Sequence, residues 1–193
     1  VTTTDPKQTL HYYLRRAREA MLWKLEGLSE YDVRRPLTPT GTNLLGLVKH
    51  LAIVEAGYFG DSFGRPFPQH LPWWDDDAEP EADLWATADE SREELTDLYR
   101  RVQEHADATI DALELDSVGR VAWWGEDGEV TLHHILVHVI AETNRHAGHA
   151  DIIREAIDKA VGLRAGNPNI ADRDESWWKN HHDRVEQSAA TFK

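Results

Sequence analysis

The chain has 193 residues, 40% hydrophobic and 29% charged, the mix of an ordinary globular protein with one substantial core. A net charge of −14, from 35 acidic against 21 basic residues, repels phosphate backbones and anionic lipid, so neither nucleic acid nor a membrane is an expected partner. The absence of cysteine excludes disulfides, thiolate zinc sites and a protein thiol nucleophile, so any thiol chemistry needs a cosubstrate that brings the sulfur.

No apolar run is long enough to span a bilayer. The segment from Val1 to Arg18 is polar and lacks the apolar stretch of a signal peptide, so a cytoplasmic location is expected.

Four segments carry a helical period. The first follows Asp5-Pro6, a capping residue with proline at the first helical position. Leu10, Leu14, Ala17, Met21 and Leu28 form its apolar stripe, which ends before Pro36 and Pro39. The second starts near Thr42 as N-cap, and Leu44, Leu47, Leu51, Val54 and Tyr58 line one face until Gly60, Gly64 and Pro66. Residues 64–88, rich in proline and holding the acidic run Asp75-Asp76-Asp77, are long enough to cross a bundle end.

The third helix starts near Asp89 or Ser91, where Ser91 and Glu94 have capping-box spacing, and presents Leu95, Leu98, Val102, Ile110 and Leu113. Residues 114–130 read as a short β-ribbon: Arg120 to Trp124, a turn through Gly125-Glu126-Asp127-Gly128, then Glu129-Val130. The fourth helix runs from Thr131 to about Val161 with Leu132, Ile135, Val139, Ile153 and Ile157 inward. The expected fold is therefore all-α: a four-helix bundle over residues 1–161, with a long crossover, a ribbon before the last helix, and a polar C-terminal extension over 162–193 holding one short helix.

Five of the eleven histidines fall between His133 and His149. With the fourth helix at about 100° per residue, Glu142 and His146 lie about 20° either side of Ile135, in the middle of the apolar stripe. A carboxylate and an imidazole buried there need partners. A metal ion satisfies both, since they sit one turn apart on one face; a metal-free Glu–His hydrogen bond, or a helix facing a wet cleft, is the competing account.

His50 falls about 60° from Leu47, at the edge of the second helix's stripe, where it can lean inward. His50, Glu142 and His146 together make three ligands with a coordination position left open, the arrangement of a catalytic metal site. His149 and His138 lie near the same face and are candidates for orienting a ligand or for acid/base work. His133 projects away and His134 sideways, while His181 and His182 lie in the extension and receive no role. The doublets Trp73-Trp74, Trp123-Trp124 and Trp177-Trp178 lie outside the main helices; they rim a pocket, or cover the core or a dimer contact.

The segment from Thr42 to Leu51, together with Glu142-Thr-Asn-Arg-His146-Ala-Gly-His149-Ala-Asp151 and Arg154-Glu155, resembles the DinB/YfiT-like metalloenzyme superfamily, closest to an actinobacterial branch. The resemblance covers roughly residues 6–161. Many members carry three histidines; here Glu142 stands in place of the first of the final pair. The same departure occurs in mycothiol-dependent maleylpyruvate isomerase, whose His, Glu and His ligands map by motif onto His50, Glu142 and His146. The resemblance implies a divalent ion, zinc first with Ni2+ or Fe2+ as alternatives, and a low-molecular-weight thiol as cosubstrate. The isomerase carries a second domain where this chain has a short extension, so the resemblance implies thiol chemistry without fixing that reaction.

Three functions follow. A metal-dependent enzyme could activate a mycothiol-like thiol for S-transfer to, or isomerisation of, a small electrophile. A hydrolase could use metal-bound water with His149 or His138 as base. A metal-binding stress protein would instead saturate the ion with a fourth ligand. A homodimer is the default assembly because symmetric dimers are the commonest oligomers.

Overall fold

The computed structural model describes residues 5–75 and 77–193; residues 1–4, at the start of the expected bundle, and Asp76 of the acidic run lie outside the described residues. The chain is mostly helical. Its elements are α1 (Pro6–Trp23), α2 (Glu30–Arg34), α3 (Leu44–Glu55), α4 (Arg92–Ala112), β1 (Val118–Arg120), β2 (Glu129–Thr131), α5 (Leu132–Asp158) and α6 (Glu175–Ala190). The four long helices α1, α3, α4 and α5 share the core, with α1 against α5 and α3 against both α4 and α5.

Capping explains most boundaries. Asp5 accepts from Lys7 N at the start of α1, and Ser91 and Glu94 form the reciprocal capping box of α4. The first periodic segment is split: α1 stops at Trp23, Gly27 takes φ 75°, and Ser29 caps a separate α2. Leu28 thus lies in the connection, still packed on the core. The N-cap of α3 is Asn43 rather than Thr42, because the Asn43 side chain accepts from Gly46 N. Beyond α3 the chain makes a π-helical turn over Ala56–Gly60, which carries Tyr58. The ribbon forms with Val118 opposite Thr131 and Arg120 opposite Glu129, but Trp123 and Trp124 belong to a 3-10 segment between the strands. The last bundle helix ends at Asp158, short of Val161, where Lys159 turns left-handed. The short helix expected in the extension is the 16-residue α6, capped by Asp174, and it buries none of its residues.

Helix α3 is apolar nearly all round and is buried accordingly: every residue from Leu44 to Glu55 except His50 is buried. Two charged residues are therefore carried inside and must be paired. Lys49 reaches Glu90 at 2.9 Å, donates to the Trp85 carbonyl at 2.9 Å, and lies over the Trp73 ring. Glu55, fully buried, receives two hydrogen bonds from Arg18 at 3.0 and 2.6 Å and one from Tyr99 Oη at 3.1 Å. Arg18 also donates to Asp107 at 2.6 Å, and His11 contacts the same Asp107 oxygen at 2.8 Å.

Candidate metal centre

His50 is the residue of α3 that reaches the seam with α5, and there it meets Glu142 and His146. The three offer ligand atoms all within 4.8 Å of one another, a group that could hold a metal ion. His146 Nε2 lies 2.9 Å from Glu142 Oε1, and His50 Nε2 lies 3.8 Å from the same oxygen. The two imidazole rings are 4.9 Å apart, centre to centre. The i, i+4 spacing read from the sequence thus puts the carboxylate and imidazole of α5 side by side, and packing of α3 on α5 brings the third donor.

The electrostatics suit a cation. Burial lowers the pKa of His146, and neighbouring His50 lowers it further, which favours the neutral imidazole that a metal needs. Burial would raise Glu142, but its hydrogen bond with His146 and the imidazoles of His146, His50 and His138 hold it below the usual carboxylate range. Two imidazole nitrogens and one carboxylate oxygen are a donor set for zinc and similar divalent ions. His146 turns Nε2 towards Glu142 and leaves Nδ1 buried without a hydrogen-bond partner, so Nε2 is the nitrogen placed for an ion. The residues therefore fit a divalent metal.

The other two histidines flank the cluster on opposite sides. His149, exposed, lies 5.4 Å from the His146 ring and lines a cavity of about 680 Å³. Thr40, Gly41, Thr42 and Asn43 form one wall of that cavity, and Leu47, Leu84 and Trp85 another, with Glu81 also lining it. His138 lies the other way, 4.7 Å from the Tyr58 ring and 5.0 Å from Trp124. Burial lowers its pKa, and nearby His134 adds to that against the opposing pull of Glu142. Neither joins the three-residue group. His133 and His134 are exposed, the latter beside Trp124. In the extension, His181 stacks on Trp177 and His182 is exposed.

The tryptophan doublets divide. Trp123 packs on Tyr58 and Trp74, and Trp124 joins Tyr58 and His138, so these three tryptophans form an aromatic patch beside the cluster, whereas Trp73 lies against Lys49. Trp177 and Trp178 pair with each other in α6. The cavity's own tryptophan is Trp85, which belongs to no doublet.

Sequence reasoning missed Asp83. Its Oδ2 lies 2.6 Å from His50 Nδ1, and it comes from the long crossover, whose irregular backbone has no period to read. It also missed the Arg18–Glu55–Asp107 network. The continuous apolar run of α3 was the available signal, since it forces Lys49 and Glu55 indoors, but their partners sit far away in the chain.

The model of the family described as mycothiol-S-transferase matches residues 9–159. No curated protein matches the chain. Among solved structures, a conserved protein of Enterococcus faecalis is similar, with a TM-score of 0.58 and 18% identity over 80% of this chain and 98% of that one. That likeness establishes the shared fold. No helix among the described residues is long and apolar enough to cross a membrane. The family match takes in part or all of each of the four long helices, including all three residues of the candidate metal centre, and the chain belongs to the mycothiol-S-transferase family.

Proposed function

We propose that this protein is a metal-dependent S-transferase that joins mycothiol or a closely similar thiol to a small electrophile. The observation that carries the reading is the convergence of His50, Glu142 and His146 beside the cavity of about 680 Å³, within the span of the family match. A divalent cation held by these three residues, zinc by its donor set, would lower the pKa of a cosubstrate thiol so that the thiolate forms near neutral pH.

The chain's own residues do the rest. The hydroxyls of Thr40 and Thr42 offer hydrogen bonds to a polyhydroxylated thiol, while Leu47, Leu84 and Trp85 exclude water from its sulfur end. His149, exposed beside the ion cluster, takes the thiol proton. The sulfur lone pair then forms the new S–C bond, the leaving group departs with its electron pair, and His149 returns the proton to it. For an alkene electrophile the proton goes to carbon instead, and reversal after bond rotation gives isomerisation. His138, held neutral among Tyr58 and Trp124, lines the opposite approach, where a flat electrophile can lie against the aromatic patch.

Protein loaded with zinc should consume a chloro-aromatic or maleyl electrophile only when mycothiol is present, and should lose that activity on chelation. Turnover without thiol would replace this reading with hydrolysis. A metal-loaded protein inert towards a broad electrophile panel, with a fourth protein ligand on the ion, would replace it with metal binding alone.

A further inference from the structure

The crossover between α3 and α4 is fastened to α3 along one short stretch. Asn43 Nδ2 donates to the Leu84 carbonyl at 3.1 Å while its Oδ1 caps Gly46 N. A Cβ on Gly46 would overlap that same Leu84 carbonyl, so glycine there permits the close approach of the strap. Lys49 donates to the Trp85 carbonyl at 2.9 Å. These contacts place Asp83 over the outer edge of the His50 ring, with Oδ2 at 2.6 Å from Nδ1.

An ionised carboxylate only accepts hydrogen bonds, so Nδ1 carries the proton and Nε2 presents its lone pair. Nε2 is the nitrogen that faces Glu142, at 3.8 Å. A free imidazole favours the opposite tautomer, with the proton on Nε2, which would block the ligand position. The next two residues of the strap, Leu84 and Trp85, line the cavity beside His146 and His149. The same segment therefore orients a ligand and builds the cavity wall.

We propose that Asp83 is the positioning residue of the metal centre: carried in by the docked strap, it fixes the tautomer and direction of His50 so that Nε2 is ready for the ion. This inference rests on the metal-centre reading above, but its first test needs no metal. In metal-free protein with 15N-labelled histidine, held at about pH 8, above the ordinary imidazole range, long-range 1H–15N spectra should report the Nδ1–H tautomer for His50. Asp83→Ala should move His50 towards the Nε2–H form, and Asp83→Asn, which keeps an acceptor, should move it less. Zinc affinity by chelator competition should fall about 10- to 100-fold in Asp83→Ala, with part of the loss recovered in Asp83→Asn.

A His50 that is Nε2–H in the wild type, or unchanged by Asp83→Ala, overturns the proposal. So does a changed tautomer with unchanged zinc affinity. A wild-type protein that binds no divalent metal defeats the functional reading instead, while the tautomer measurement still decides whether Asp83 orients His50. A thermal melt of each variant separates this effect from loss of the fold.

Discussion

Two clusters of charge lie between the helices of this protein, and they are built differently. At the Arg18–Glu55 cluster the protein is its own counter-ion: a bidentate guanidinium, a tyrosine hydroxyl and a second carboxylate, Asp107, meet on buried Arg18 and Glu55. At the His50–Glu142–His146 cluster the side chains are only partly buried, two imidazoles converge on one carboxylate, and a ring nitrogen of His146 has no partner. The first is a closed structural network, whereas the second is an open donor set. Closure makes a buried charge stabilising relative to its broken form, and openness leaves room for a ligand.

The largest effect should come from breaking the closed cluster. Glu55→Ala removes both hydrogen bonds that Arg18 makes to Glu55 and leaves it Asp107 alone, and losing one partner of a buried pair costs about 3–5 kcal/mol. Equilibrium denaturation should register that loss whether or not metal is present. A loss under about 1 kcal/mol would mean that Asp107 and water together satisfy Arg18 and that Glu55 does not close the cluster.

His146→Ala should do the reverse. Metal retention, read by elemental analysis, should disappear, while the metal-free protein keeps its stability to within about 1 kcal/mol because the cluster is partly exposed. Undiminished metal content in this variant would show that the open cluster is not the binding site.

Acid should also weaken the closed cluster. Burial would raise Asp107, but hydrogen bonds with His11 and Arg18 and the charge of Arg18 hold its folded pKa below the ordinary 3.8. A depressed folded pKa gives stability that is present above the unfolded value and lost as pH falls through the folded one. The wild type should therefore lose stability as pH drops below about 4, and Asp107→Asn should flatten that slope. An unchanged slope would remove Asp107 from the network's energetics.

The smallest effect should be Asn43→Asp. Aspartate keeps the cap on α3 but cannot donate to the Leu84 carbonyl, so the strap loosens without loss of the helix. Zinc affinity should fall a few-fold, less than for Asp83→Ala. An effect equal to that of Asp83→Ala would mean that the strap is held by this one hydrogen bond rather than by Gly46 and Lys49 as well.

Much of this was legible before any coordinates. Glu142 and His146 stand in an apolar stripe at helical spacing, so the 3.6-residue period alone places them together and marks them as needing a partner. The capping box at Ser91 and the proline after Asp5 announce two helix starts in local chemistry. The break after Trp23 was not legible, because the stripe continues to Leu28 although Gly27 has already turned the chain. Nor were the roles of His149 and His138 separable: residue number sets them about 16 Å apart along α5, either side of the cluster, but does not show that the crossover walls a cavity at one and that Tyr58 and Trp124 pack on the other.

The sequence by itself thus determined the four long helices and the side-by-side placement of Glu142 and His146, since each depends on residues a few positions apart. Only the tertiary structure decided which charged residues close on one another and which stay open. Arg18 finds Glu55, and Asp83 finds His50, across dozens of residues and through an aperiodic crossover; such meetings are fixed by packing, which no local period encodes.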